Sequence, residues 1–176
     1  MERVLVIGSP GAGKSTLAAA IARRTGLPLV HLDQHYWRAG WAEPDQAEWT
    51  RQVESLAAAP RWVMDGNYSG TLPLRLGSAD IVLWLDFPVW LCLARIVLRA
   101  IRYRGRVRPD MAPGCLEQLT AEFIGYTAAF PWRGRRRVET HLAGYRGTLR
   151  RLRSRAEVES FLESLPPAGG TPEPGR

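Results

Sequence analysis

Gly8-Ser9-Pro10-Gly11-Ala12-Gly13-Lys14-Ser15 is the stretch on which the reading of this chain turns. It is a Gly, four variable positions and then Gly-Lys-Ser. It follows the apolar run Val4-Leu5-Val6-Ile7, and a helical pattern starts straight after it. Buried strand, glycine turn and helix N-terminus form the context that a phosphate-cradling loop requires. Glycines let backbone N–H groups wrap a polyphosphate without Cβ clashes. The helix opening near Lys14 adds unpaired donors and the positive end of its dipole. The spacing predicts that Gly8, Pro10, Gly11, Ala12, Gly13, Lys14, Ser15 and Thr16 surround the phosphates of ATP. Lys14 is expected to reach the β- and γ-phosphates, and the Ser15 hydroxyl to ligate Mg²⁺.

Of the twenty-four Lys and Arg residues, only Lys14 is lysine. The chain uses arginine wherever a cation is needed, yet carries an ammonium here. A compact point charge fits inside a closed loop where a planar guanidinium does not.

At 176 residues the chain is long enough for one domain with a full core. Residues 1–165 are expected to form that domain, and the Pro/Gly-rich tail 166–176 to be disordered. Cys92 and Cys115 sit in no metal-like spacing, which fits a reduced, cytoplasmic setting. The strand begins within three residues of Met1, leaving no room for a signal peptide. The most apolar region, 81–94, is interrupted by Asp86 and too short to span a bilayer, so no membrane partner is expected. The net charge of +7 is clustered as arginines at 95–108, 133–137 and 146–155. Such clusters suit nucleic acid or small polyanions, and the phosphate loop tilts the choice toward a nucleotide.

Outward from the loop, 14–25 reads as a helix stopped by Gly26 and Pro28. Residues 29–33 read as a second strand ending in Asp33, 61–65 as a third ending in Asp65, and 81–86 as a fourth ending in Asp86. Asp45 opens a helix through a capping box to Glu48. Residues 66–77 read as loop with a turn of helix, and 89–104 as a helix whose Arg95, Arg99 and Arg102 share one face, with Arg106 continuing the spacing. A loop at 105–114 leads to a helix over 115–130, a short helix near 138–144 and a fifth strand at 148–152. Ser154 and Glu157 cap a last helix with Val158, Phe161, Leu162 and Leu165 on one face. Strands alternating with helices predict an α/β fold of three αβα layers around a five-stranded parallel sheet. Ligands of such sheets bind at the carboxyl ends of the strands, where three aspartates converge beside the phosphate loop. His31 and His141 sit in no metal or triad spacing and read as structural.

The chain resembles the adenylate-kinase-like small P-loop kinases. To about residue 165 it is more closely similar to the group of DNA topology modulation proteins. The residues that carry this are 7–15, His31-Leu-Asp33 with Trp37, Asp65-Gly66-Asn67-Tyr68, 85–88, 103–110 and Phe130-Pro131. The resemblance implies a P-loop NTPase fold like that of the nucleoside monophosphate kinases, with an acceptor segment at about 34–77 and a small mobile lid at about 105–114. It implies that Asp65 orders Mg²⁺ in preference to Asp86, and that Arg95 and Arg99, with Arg153, contact ATP. It makes Arg75 an acceptor-phosphate arginine, and Arg133 and Arg136 candidates to close on the transferring phosphoryl group.

Phosphoryl transfer rests on positioning and charge stabilisation. The first expectation is transfer from ATP to a small, nucleotide-like acceptor. A hydroxyl acceptor, as in kinases acting on shikimate or gluconate, is the alternative, because it needs a base such as Asp33. The acceptor segment offers Asp33, His35, Tyr36, Trp37, Asn67 and Tyr68 beside Gly66, with only Arg38 and Arg75 as clamps. An ATP-binding, DNA-associated regulator of topology is the alternative of another class.

Overall fold

The structure is a computed structural model that describes residues 1–167. Most of the tail expected to be disordered, 168–176, lies outside the described residues. Strand β1 (Arg3–Gly8) runs into the loop and helix α1 (Lys14–Thr25), which ends on Gly26 with a positive φ of 69°. Then come β2 (Leu29–His31), α2 (Leu32–Tyr36), α3 (Gln46–Ala58), β3 (Trp62–Asp65), α4 (Leu72–Ser78) and β4 (Ile81–Leu85). Helices α5 (Val89–Arg102), α6 (Ala121–Ala129) and α7 (Gly134–Leu142), strand β5 (Thr148–Leu152) and helix α8 (Arg155–Glu163) complete the order.

All strand pairs are parallel, in the order β2-β3-β1-β4-β5. Alternate residues of the central strands face opposite layers, as the two-residue period of a strand demands. Val4 and Val6 pack with Leu17, Ala18 and Ile21 of α1, Cys92 of α5 and the apolar face of α8. Leu5, Ile7, Met64 and Trp84 pack on the other side with Trp49 and Val53 of α3, Leu72 and Leu76 of α4, and Val138 of α7. The expected three-layer αβα sandwich is therefore present, with a P-loop NTPase topology. A third, small cluster joins Met111, Ala112 and Cys115 to Trp37, Trp41 and Val107, seating the expected lid on the acceptor segment.

Several local expectations change. The second strand stops at His31, and Leu32, fully buried, starts α2, so Asp33 sits in the first turn of a helix rather than at a strand end. Residues 72–78 are helical because Pro73 falls in the first turn, where its missing N–H costs nothing. Residues 115–120 are not helical: Leu116 and Glu117 bridge back to Val107 and Arg104. Arg106 lies beyond the end of α5, so the arginine face stops at Arg102. Asp45 caps α3 by accepting from Ala47 N and Glu48 N, whereas the Glu48 carboxylate turns to Arg38.

Candidate functional site

The register of the parallel sheet assembles the site. Val6 pairs with Asp65, and Asp65 with His31, so the ends of β1, β3 and β2 lie side by side below the phosphate loop. Within residues 9–13 the only backbone hydrogen bond from an amide is Ala12 N to Ser9 O at 3.1 Å, which leaves the Ser9, Gly11 and Gly13 amides free among the described residues. Gly11 backs onto the Cys92 carbonyl of α5, where a Cβ would collide. Gly13, with φ of 97°, opens into free space at the N-cap of α1. The loop is thus a row of backbone donors around an open concavity, ahead of a helix of twelve residues.

Lys14 folds into this concavity, its Nζ donating to Ser9 O at 3.1 Å. Burial holds its ammonium below the ordinary 10.5, against the raising charges of Asp33 and Asp65. The Ser15 hydroxyl donates to Asp65 Oδ2 at 2.7 Å. Asp65 is 5% exposed, and its other oxygen lies 2.5 Å from His31 Nδ1. Burial alone would lower His31, but the hydrogen bond and charge of Asp65 outweigh it and raise the imidazole above its ordinary value. His31, expected to be structural, thus braces the carboxylate beside Ser15. Adjacency to Asp65 across β2 and β3 was the signal, and it needs the sheet order.

A hydroxyl and a carboxylate side by side are the hard oxygen donors that Mg²⁺ prefers. No group of three or more His, Cys, Asp and Glu able to hold a metal occurs among the described residues. Ser15 and Asp65 are the residues that would hold Mg²⁺.

Asp33 sits across from Lys14 and accepts a hydrogen bond from the Tyr68 hydroxyl at 2.6 Å. Burial raises its carboxyl above the ordinary 3.8, while the Tyr68 bond and the Lys14 charge pull the other way. Trp37, Tyr36 and Tyr68 belong to an aromatic group with Trp41 and Trp49, edge-packed except at Tyr68, whose ring is tilted against Tyr36 and Trp49. Asn67 clasps the loop: its Oδ1 accepts from Gly8 N at 3.0 Å and its Nδ2 donates to Gly8 O at 2.7 Å. Gly66 lies between Asp65 and this clasp with φ of 134°.

The two acceptor clamps are not free. Arg75 is fully buried and donates to the carbonyls of Gly66, Asn67 and Tyr68, so it is a strut for the loop after β3 rather than an open clamp. Helix α4 points its side chain inward, a direction the loop-like sequence did not disclose. Arg38 is paired with Glu48 at the surface. Arg95 lies against the loop, donating to Ala12 O at 3.2 Å, with its guanidinium over the Phe87 ring. Arg99 is held by Glu117 at 2.8 Å. Asp86 follows the end of β4 and lines a small pocket with Ser9 of the loop, but its carboxylate is paired with Arg135 and Arg151, with Arg153 at 3.9 Å. Arg153, mostly exposed, lies at the rim of that network, and Thr16 is exposed at the mouth of the loop.

Of the second arginine cluster, Arg133 lines a cleft of about 340 Å³ with Asn67, Ser69, Glu122, Tyr126 and Arg137. Arg136 does not line that cleft and, like Arg133 and Arg137, is exposed. Arg137, one helical turn from Arg133, lines it as well.

Residues 4–59 match the family described as "ATPase family associated with various cellular activities (AAA)". The chain is 36% identical to an adenylate kinase of Kocuria rhizophila over 81 residues, 46% of this chain and 42% of that protein. It is 25% identical to the uncharacterized protein YqaC of Bacillus subtilis over 134 residues, 73% of this chain and 72% of the relative. Its match thus spans about two-fifths of the length of the adenylate kinase. Among solved structures, shikimate kinase from Acinetobacter baumannii in complex with shikimate superposes with a TM-score of 0.57 at 16% identity, covering 93% of this chain and 89% of that one. That likeness is one of fold, the three-layer P-loop NTPase sandwich. No helix of the described residues is long and apolar enough to cross a membrane.

Proposed function

We propose that this chain transfers the γ-phosphoryl group of ATP, with Mg²⁺, to a hydroxyl of a small acceptor. The observation that carries the reading is the pairing of two neighbours: a loop with free amides around Lys14, and a partly buried Asp33 facing it. The amides of Gly11 and Gly13 and the Lys14 ammonium bind and orient the phosphates. Mg²⁺, held by Ser15 and Asp65, supplies charge neutralisation when bound. Asp33 accepts the proton as the acceptor oxygen bonds to the γ-phosphorus and ADP leaves. Its raised pKa makes it a better proton acceptor than an exposed carboxylate, and Tyr68 fixes its orientation. The hydroxyl reading is favoured over a monophosphate because Arg75 and Arg38 are already engaged.

A second reading, a nucleoside monophosphate as acceptor, rests on the cleft lined by Arg133 and Arg137, two cations at the distance of one helical turn. It is also the activity in the name of the Kocuria rhizophila relative. The DNA-associated reading is weakened by the arginines already engaged inside the molecule, Arg99 and Arg108 on Glu117 and Arg135 and Arg151 on Asp86. The test is a transfer screen with ATP and Mg²⁺, small hydroxylated metabolites beside nucleoside monophosphates. Turnover confined to monophosphates, or turnover of a hydroxyl acceptor that survives Asp33→Asn, refutes the hydroxyl reading.

A further inference from the structure

Glu117 stands outside every role assigned above. It follows the lid segment, and its side chain is 1% exposed. Its Oε1 accepts from Arg99 Nε at 2.8 Å, and its Oε2 lies 2.6 Å from Arg108 Nε. Arg108 also donates through Nη1 to Asp110 at 2.9 Å. One buried carboxylate thus ties an arginine of the core helix α5 to an arginine of the lid. Both stand beside the elements that build the site: Arg95, one turn before Arg99 on α5, donates to Ala12 O of the phosphate loop, and Pro109, next to Arg108, accepts from Gln34, next to Asp33.

The atoms used matter. Glu117 holds Arg99 by Nε, and the terminal nitrogens of Arg99 make no hydrogen bond among the described residues. A guanidinium gripped from one side keeps the paired donors that match a phosphoryl group. The guanidinium also lies over the Phe123 ring, 5.6 Å from its centroid, which limits rotation about its long axis. The lid is seated by further contacts that leave this geometry little freedom: Gln34 Nε2 donates to Pro109 O at 2.6 Å, and Trp41 Nε1 to Leu116 O at 2.9 Å. A buried carboxylate between two arginines is a weak source of net stability, because desolvation offsets much of the attraction. Its value here lies in direction.

We infer that Glu117 is a positioning residue for phosphoryl transfer, holding Arg99 by a hydrogen bond at Nε and Arg108 by its charge, so that one core and one lid arginine keep fixed places beside the phosphate loop and the acceptor segment. The inference rests on the kinase reading. Glu117 does not touch the substrate; it sets where two cations stand when the γ-phosphoryl group moves. Removing its charge keeps both arginines present but unaimed, so turnover falls while nucleotide affinity, set mainly by the phosphate loop, changes little.

The test is a cycle of Glu117→Gln, Arg99→Met and the double variant in the full chain, measuring kcat, KM for ATP and Tm. Glu117→Gln is expected to lower kcat by ~10–100-fold, the scale seen when a supporting partner of a site residue is lost. KM for ATP should stay within about threefold, and the double variant should be no slower than Arg99→Met alone, since coupled residues are not additive. Glu117→Asp, which keeps the charge, should recover part of the rate. Full turnover in Glu117→Gln overturns the inference, as do losses that multiply in the double variant. A kcat loss shared by Glu117→Asp and matched by a fall in Tm overturns it too, because that is the pattern of a merely structural group. Wild-type protein that binds ATP but phosphorylates no acceptor would remove the kinase reading, and the inference with it, before any variant is compared.

Discussion

The phosphate loop and the acceptor segment lie against the same strand ends, yet they are built from opposite materials. The loop works through backbone: free amides, a helix terminus and one ammonium group. The acceptor side works through side chains from distant parts of the chain, such as Asp33 with Tyr68, 35 residues apart. Its arginines are already bound to protein partners. A backbone-made site is written in contiguous spacing and stands ready before any ligand arrives. A side-chain site depends on which contacts the fold brings together, and here that network leaves a carboxylate, not a cation, facing the loop.

The sharpest way to break this contrast is Asp33→Asn. With a hydroxyl acceptor, kcat should fall by ~10²–10⁴-fold, the usual contribution of a general base, while ATP affinity measured by calorimetry stays within about threefold. A matching loss of ATP affinity would mean that the two regions are not separable. The wild-type rate should decline as pH falls through the raised Asp33 pKa, at a pH above the 3.8 of an ordinary carboxyl, and the variant should lack that limb. The same shift acts on folding. The native state holds the Asp33 proton after the unfolded chain has released it, so stability falls as pH rises from 3.8 through the native pKa. Urea unfolding across that window should show a shallower fall for Asp33→Asn.

Lys14→Ala probes the other side of the comparison. It should lose ~10²–10³-fold in turnover, the scale for one key stabilising donor, with the fold intact by circular dichroism. Arg75→Met should instead appear as lost stability. Three carbonyls of the 66–68 loop lose their donor in a buried place, and about 2–4 kcal/mol is expected in urea unfolding. If this variant keeps wild-type stability but loses acceptor affinity, Arg75 is a clamp after all. Arg38→Ala should do least. Its pair with Glu48 is about half exposed, so a stability change of no more than ~1 kcal/mol is expected in the same assay.

How much of this was legible in the sequence follows the same division. Helix α1 and strand β5 begin and end where periodicity and stop signals put them, at 14–25 and 148–152, because each is decided by its own residues and caps. Asp33 was placed on a strand because Leu29-Val30-His31-Leu32 is a continuous apolar-rich run. Only the burial of Leu32 in the α3 and α4 layer shows that the chain turns helical there. The expected loop with a turn of helix at 66–77 holds a longer helix, Leu72–Ser78, because Pro73 and Gly77 mask its helical pattern. Within the helix expected over 115–130, the first six residues are drawn out of helical form, Glu117 by arginines 9 and 18 residues off. The pairing of His31 with Asp65 has no signal in local spacing because the two lie 34 residues apart. Spacing reports what a segment prefers alone; it is silent about partners that arrive from elsewhere in the sheet.

The double clasp between the Asn67 amide and the main chain of Gly8 has a consequence for how two ligands sense one another. It rivets the loop that carries Tyr68 to the first residue of the nucleotide turn, so neither can shift without tugging on the other. Occupancy at one end should therefore alter affinity at the other by an identical factor in both directions, and Asn67→Ala should leave two ligands that bind as strangers.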